Sequence, residues 1–329
     1  MGKHRDVRLA VAGDIGVLPP PLLQSIAAED VRFEAVFDPD SSRSETAART
    51  YGARWPFDDL EQMLREAEPD VVVVAGTNDQ RAQWAKTCLR RHAAVLILGA
   101  PGTSLTECRA LSRVARKANR QVMVGLPQRF SPAGVRTRRL LESGRLGPVS
   151  AVDLVMTWPR DPGRDESSER PVPYDLAFDA ADRLRSCGIE PQRVWAVERP
   201  YGHIAAMVLS TDGVTATMGL HHTGTPQSSG NHLELRSEDG GLLIIEHDVD
   251  LTCTMGSQLV ARHHPRLGAG DDPRVECGYA GMITAFATAI RDHQGVPYGL
   301  PTATGSVALA AAIFRAGKTG RAVQASGSR

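Results

Sequence analysis

Three aspartates recur at spacings of four and three in Tyr174-Asp175-Leu176-Ala177-Phe178-Asp179-Ala180-Ala181-Asp182. On a helix that spacing sets Asp175, Asp179 and Asp182 on one face. Carboxylates so placed, with the Tyr174 hydroxyl beside them, suit acid–base chemistry. An aspartate with an ordinary pKa of about 3.9 is a weak base near neutrality, so the role requires apolar burial that raises it. The same spacing also describes a solvated stripe, or a face that pairs with Arg183 and Arg185. Trp158, Tyr174, Tyr201 and His203 offer aromatic walls for a substrate cleft, although such residues also build cores. His221-His222 and His263-His264 look like metal ligands. Neighbours on a strand point to opposite faces, however, so neither pair readily chelates one ion, and no metal site is expected. Glu246-His247-Asp248-Val249-Asp250 reads as a surface turn. No Ser-His-Asp or Cys-His order with a strand-turn nucleophile is present.

The elements that must carry these residues fall into two patterns. Val7 to Ala12, Arg32 to Phe37, Val71 to Ala75, Val95 to Leu98 and Gln121 to Val124 are short β-branched runs separated by helical stretches. That alternation predicts a doubly wound parallel sheet, with the valine-rich run central because burial on both faces abolishes alternation. Asp58 with Glu61, Asn78 before Asp79, and Ser104 with Glu107 are the expected helix caps. After Gly125 the pattern changes. A helix over Pro132 to Ser143 leads into a strand over Val149 to Trp158. Residues 159–173, rich in Pro, Asp, Glu, Arg and Ser, predict an exposed loop or lid. A helix near Ala177 to Arg185 follows, then strands over Arg193 to Val197, Ile204 to Ser210, Thr215 to His222, Leu233 to Ser237, Leu242 to Glu246 and Val249 to Met255. These read as one antiparallel sheet. Helices near Gly281 to Asp292 and Thr304 to Ala316 close the chain. The expected fold is α/β, with a Rossmann-like domain over 1–125 and an α+β domain with a large, mostly antiparallel open sheet over 126–329.

Composition bounds the function. In 329 residues, 38 Lys+Arg balance 38 Asp+Glu, which leaves no global field to collect nucleic acid or anionic membrane. The longest apolar run is too short to span a bilayer, and the first residues lack an apolar signal core, so a cytoplasmic location is expected. The 5 cysteines are odd in number and scattered, which argues against a disulfide framework or a zinc site.

Several segments together resemble the Gfo/Idh/MocA oxidoreductases. They are Phe37-Asp38-Pro39-Asp40 at the end of the second strand, the junction Val124-Gly125-Leu126-Pro127-Gln128-Arg129-Phe130-Ser131-Pro132, Ser143-Gly144-Arg145-Leu146-Gly147, Leu235 to Ile245, and Phe286 to Val323. The resemblance implies a nicotinamide cofactor held by Gly13, Ile15, Gly16, Asp38 and Asn78, and a homo-oligomer of two or four chains. An Asp38 carboxylate accepting both ribose hydroxyls favours NAD over NADP. Arg129 in the junction is a candidate for an anionic substrate or for a hinge, and Trp158 and Asp182 are further substrate-side candidates.

Departures from the family pattern concentrate where its chemistry is done. Val11-Ala12-Gly13-Asp14-Ile15-Gly16 lacks the first glycine of the turn. Pro19, Pro20 and Pro21 then lack N–H groups, so the first helix must start late or bend. Gly76-Thr77 replaces Thr-Pro before Asn78, and Arg81 stands where a histidine is usual. Leu98-Gly99-Ala100-Pro101 replaces Glu-Lys-Pro and so removes the ammonium that stabilises a developing alkoxide, worth about 3 kcal/mol. Asp179 occupies the position of the catalytic histidine. Weak or absent NAD binding is therefore expected. Three functions remain open: a protein that binds a sugar-like or other small polar metabolite without standard hydride chemistry, an NAD-dependent oxidoreductase using Asp179 or Tyr174, or a non-redox isomerase, dehydratase or cyclase. Assembly with a catalytically active homologue would explain a silent subunit.

Overall fold

The structure is a computed structural model, and it describes residues 6–28, 31–159, 173–199, 202–223 and 230–325. Most of the expected 159–173 loop, and Tyr201, lie outside the described residues. The chain forms two compact units, one of residues 1–130 with 272–304 and one of 131–271 with 305–329.

The first unit alternates strand and helix: β1 (Val7–Ala12), α1 (Pro20–Ala28), β2 (Val31–Phe37), α2 (Ser41–Tyr51), β3 (Trp55–Phe57), α3 (Leu60–Glu66), β4 (Val71–Val74), α4 (Asn78–Arg90), β5 (Ala94–Leu98), α5 (Leu105–Ala118) and β6 (Val122–Gly125). The sheet order is β3-β2-β1-β4-β5-β6, parallel throughout, which is the doubly wound order with its switch point between β1 and β4. All four valines of β4 are fully buried, as their central place requires. β3, a three-residue edge strand, carries no periodic signal and is absent from the sequence reading.

In the second unit α6 (Pro132–Glu142) precedes β7 (Val149–Pro159), α7 (Tyr174–Ser186), β8 (Pro191–Arg199), β9 (His203–Ser210), β10 (Thr215–Thr223), β11 (His232–Ser237), β12 (Gly241–Glu246), β13 (Asp250–Met255) and β14 (Gln258–His263). The chain then returns to the first unit for α8 (Pro273–Glu276) and α9 (Tyr279–Arg291), and α10 (Leu300–Thr319) and β15 (Val323–Gln324) follow. The sheet order is β14-β13-β12-β11-β7-β10-β9-β8-β15. The sheet is mostly antiparallel, as expected, with one parallel pair: β10 runs alongside β7, after α7 and the β8–β9 hairpin intervene in the chain. Residues alternate cleanly along β9, with Ile204, Ala206 and Val208 buried while Met207 and Leu209 are 49% and 41% exposed.

Residues 272–304 rejoin the first unit, whereas the sequence reading placed them with the second. The reason is the apolar face of α9. Met282, Ile283, Phe286 and Ala287 are buried in the same cluster as Leu9 and Val11 of β1 and Leu22 and Ile26 of α1. Burying side chains of this size contributes roughly 1.5–3 kcal/mol each.

Two helix starts also differ from expectation. The cap of α3 is Asp59, which accepts from the Gln62 N–H at 2.6 Å, not Asp58. The cap of α4 is Thr77, in a reciprocal capping box with Gln80, not Asn78. Ser104 caps α5 as expected, accepting from the Glu107 N–H at 3.2 Å.

Candidate functional site

The residues expected from the sequence fall into two groups, one in each unit. In the first, β1 ends in a turn built around Gly13. Its φ is +154°, and a Cβ there would lie 2.3 Å from the Ala75 carbonyl oxygen, so only glycine lets the ends of β1 and β4 approach this closely. Gly16 is under no such pressure, because the nearest atom to an added Cβ is 3.6 Å away. Val11, which replaces the first glycine of the pattern, is a fully buried strand residue in register with Val36 and Val73.

After a single 3₁₀ turn over Ile15–Val17, α1 begins only at Pro20. The three prolines delay the helix as their chemistry demands. Pro20 and Pro21 bring no N–H to the first turn, and the Leu22 N–H is already bound to the Pro19 carbonyl at 3.0 Å.

Asp38 is 1% exposed and turned inward. One oxygen accepts from the Ile15 N–H at 2.8 Å and the other from the Asp40 N–H at 2.9 Å. The carboxylate expected to meet a ribose thus braces the turn, and it occupies the Ile15 N–H that an incoming anion would need. Asp14 and Asp40 both pair with Arg43, at 2.6 and 3.3 Å, along the same rim.

Asn78 is the first residue of α4, and its side-chain oxygen accepts from the Arg81 guanidinium. Arg81 is 4% exposed and also donates to the carbonyls of Gly76 at 2.8 Å and Ala100 at 3.3 Å. Ala100 is itself buried, with the Arg81 guanidinium donating to its carbonyl. No motif announced this contact, because residues 81 and 100 lie on different helix–strand units. Arg129 stacks its guanidinium over the Tyr298 ring, 4.7 Å from the centroid.

In the second unit α7 carries the aspartates. They do not form a solvated stripe. Asp182 is fully buried and accepts from the Ser306 hydroxyl at 3.1 Å. The Tyr174 hydroxyl donates to the Val307 carbonyl at 3.0 Å, and its ring stacks on Phe314. Both residues therefore tie α7 to α10. Asp175 lies in the first turn of α7, where a negative charge complements the helix dipole.

Asp179 accepts from Arg183 at 3.1 Å, and Arg183 bonds on its other side to Asp248. Asp248 in turn accepts from the Asn231 amide at 2.7 Å. Burial pushes the Asp179 carboxyl above its ordinary value, against the pull of Arg183 and with the help of Asp248. Burial acts downward on Arg183, but its two carboxylate neighbours outweigh it and hold the guanidinium firmly charged. Asp248, read from the sequence as a surface residue, is partly exposed in the β12–β13 turn with a φ of 69°, and its pairing with Arg183 carried no sequence signal.

Trp158 and His222, opposite each other across β7 and β10, have ring centroids 3.8 Å apart. His221 faces His203 instead, with Nδ1 atoms 3.3 Å apart, and burial holds its pKa below the ordinary value. The adjacent histidines thus look to different partners. Among the described residues no three metal-ligating groups converge, and no helix is long and apolar enough to cross a membrane.

Residues 7–126 match the model of an oxidoreductase family with an NAD-binding Rossmann fold, Gfo/Idh/MocA. The chain is 33% identical to inositol 2-dehydrogenase 2 of Saccharopolyspora erythraea over 123 residues, which covers 37% of this chain and 36% of that protein. It is 27% identical to the dehydrogenase aclE of Aspergillus oryzae over 139 residues, 42% of this chain and 38% of that one. The chain therefore spans little more than a third of either relative. In fold the likeness is wider. The crystal structure of scyllo-inositol dehydrogenase from Lactobacillus casei, solved with NAD(H) and scyllo-inositol, superposes with a TM-score of 0.80 over 98% of this chain and 99% of that one, at 16% identity. In its doubly wound sheet and its glycine turn, the segment 7–126 is similar to the NAD-binding domain of the Gfo/Idh/MocA oxidoreductases.

Proposed function

We propose that this protein binds a sugar-like or other small polar metabolite on the scaffold of a polyol dehydrogenase, with the standard hydride-transfer site altered and NAD(H) bound weakly or not at all. The observation that carries the reading is Asp38, whose buried carboxylate already fills the Ile15 N–H at 2.8 Å. The proline start of α1 and the uncharged Ala100 point the same way. Of the two nicotinamide cofactors NAD remains favoured, because a carboxylate at the end of β2 repels a 2′-phosphate. The relatives supply the ligand class, since their names include inositol dehydrogenases. Titration calorimetry with NADH tests the reading. A dissociation constant below about 10 μM, roughly 7 kcal/mol of binding free energy, would refute it.

A second reading is favoured by Asp179. A carboxyl raised by burial and held beside Arg183 suits proton transfer, whether in an oxidoreductase with a substitute acid–base group or in a non-redox enzyme.

Self-association through the open sheet face belongs to the same proposal. Trp195, Met207 and Thr217 lie in register across β8, β9 and β10, and Trp195 and Met207 are 42% and 49% exposed. The partner is a second copy of the chain or an active homologue, and the setting is the cytoplasm.

A further inference from the structure

The open face of the second unit's sheet carries a pair of histidines that the proposed ligand chemistry leaves unused. His203 of β9 and His221 of β10 stand directly opposite each other across the antiparallel pair. His203 alternates with the buried Ile204, Ala206 and Val208, and His221 with the buried Leu220, so both rings share the open face with Met207 and Thr217. Neighbours on one strand cannot readily chelate an ion, but residues opposite each other on two strands face the same way.

Their spacing departs from an ordinary hydrogen bond. The two Nδ1 atoms are 3.3 Å apart, beyond the roughly 2.7–3.2 Å of normal N–H hydrogen bonds. Among the described residues neither ring has another polar partner. Two imidazole nitrogens on one tetrahedral zinc ion, each at about 2.0–2.1 Å, lie about 3.3–3.4 Å apart. Neighbouring positions on a square-planar or octahedral ion would hold them at about 2.8–3.0 Å. The observed gap is that of the tetrahedral case.

A glycine adds a second, independent observation. A Cβ at Gly219 would lie 2.4 Å from His221 Nε2 and 3.2 Å from its Cε1, so the ring lies back along β10 over the space that the missing side chain leaves. Glycine inside a strand weakens it and often marks a close approach. Here it seats His221 with Nδ1 directed at His203. Burial and the neighbouring imidazole both lower the His221 pKa, which keeps its lone pair available near neutrality. Thr157 of β7 and Arg199 of β8 flank the pair in the same row. Arg199 is exposed, so solvent and salt screen its repulsion of a cation.

We propose that His203 and His221 form a binding site for a tetrahedral divalent transition-metal ion of the zinc class, with water in the remaining positions. Neutral imidazole suits such ions, whereas calcium and magnesium take oxygen ligands. Two protein ligands give a moderate affinity, not the tight grip of a four-ligand structural site. Other histidines of the sheet are engaged with carboxylates: His232 Nδ1 lies 2.8 Å from Glu246, and His264 Nδ1 lies 3.1 Å from Asp250.

The test is calorimetric titration of the full chain, stripped with a chelator, with zinc chloride at about pH 7.5, where both imidazoles are largely neutral. One ion binds per chain with a dissociation constant of roughly tens of micromolar, and magnesium does not displace it. His203→Gln and His221→Gln each weaken binding by about tenfold or more. Gly219→Ala keeps both imidazoles but displaces one ring, and weakens binding by about threefold or more. His232→Gln/His264→Gln removes two imidazoles from the same sheet and leaves binding within about twofold. Thermal unfolding without zinc checks that each variant is folded. No binding up to about 1 mM zinc, equal weakening by the control variant, no weakening by either single histidine variant, or magnesium binding as tightly as zinc would each overturn the proposal. The titration uses no metabolite or cofactor, so its failure leaves the metabolite-binding reading untouched.

Discussion

Asp38→Asn separates a carboxylate that braces the protein from one that waits for a ribose. In the parent, the two Asp38 oxygens accept from the Ile15 and Asp40 N–H groups at 2.8 and 2.9 Å, at a site 1% exposed. Asparagine has one acceptor oxygen, so one of those N–H groups faces an amide that can only donate. Hydrogen bonds to a charged group contribute about 1.5–3 kcal/mol, and a buried donor left without an acceptor costs about 1–3 kcal/mol. The two losses describe the same broken contact from its two sides and should not be added. The expected destabilisation is therefore about 2–3 kcal/mol. For a cooperative unit of this size, that lowers the melting temperature by roughly 4–12 °C. Thermal unfolding followed by circular dichroism measures it, with NADH titration on the same two proteins. A bracing Asp38 gives the thermal loss and little change in an already weak NADH affinity. An unchanged melting temperature, together with a tenfold or greater loss of NADH affinity, would refute the bracing role and restore Asp38 as a cofactor ligand.

Gly13→Ala and Gly16→Ala should diverge sharply. A Cβ at residue 13 lies 2.3 Å from the Ala75 oxygen and at residue 16 no closer than 3.6 Å to any atom, so the first variant loses about 3 kcal/mol or fails to fold, and the second stays within about 0.5 kcal/mol by denaturant titration. For Asp179 the folded-state pKa is raised above 3.8, so its contribution to stability is full below that value and is lost as pH rises through the raised pKa. Asp179→Asn should remove that falling slope from the stability–pH curve, and carboxyl NMR should find Asp179 titrating above the other aspartates; an ordinary titration would leave it as part of an ion-pair network. If Asp179 also transfers a proton, the same variant abolishes turnover and changes ligand affinity by less than about tenfold. Light scattering at micromolar concentration should find an oligomer, and Met207→Glu, which places a charge on the exposed sheet face, should dissociate it; a monomeric parent would sink that reading.

Local signals were legible because their physics acts within a few residues. The valine run of β4, the alternation that set strand against helix, the Ser104 cap and the prolines that hold α1 back to Pro20 all depend on neighbours in sequence. The resemblance extended this to an expected family and to the expectation that Ala100 stands where its lysine is usual. Tertiary structure decided what each polar side chain touches. Asp38 meets Ile15 only because β2 lies beside β1, and Arg81 meets Ala100 only because β4 and β5 end together. Asp248 joins Asp179 through Arg183 across 65 residues of chain, and α9 returns to the first core because its apolar face matches β1 and α1. Periodicity states that a face is apolar or acidic. Which partner covers it is settled by packing between segments far apart in the chain, as when the Asp38 carboxylate, read from sequence as a ribose ligand, accepts a hydrogen bond from the Ile15 N–H of the neighbouring strand's turn.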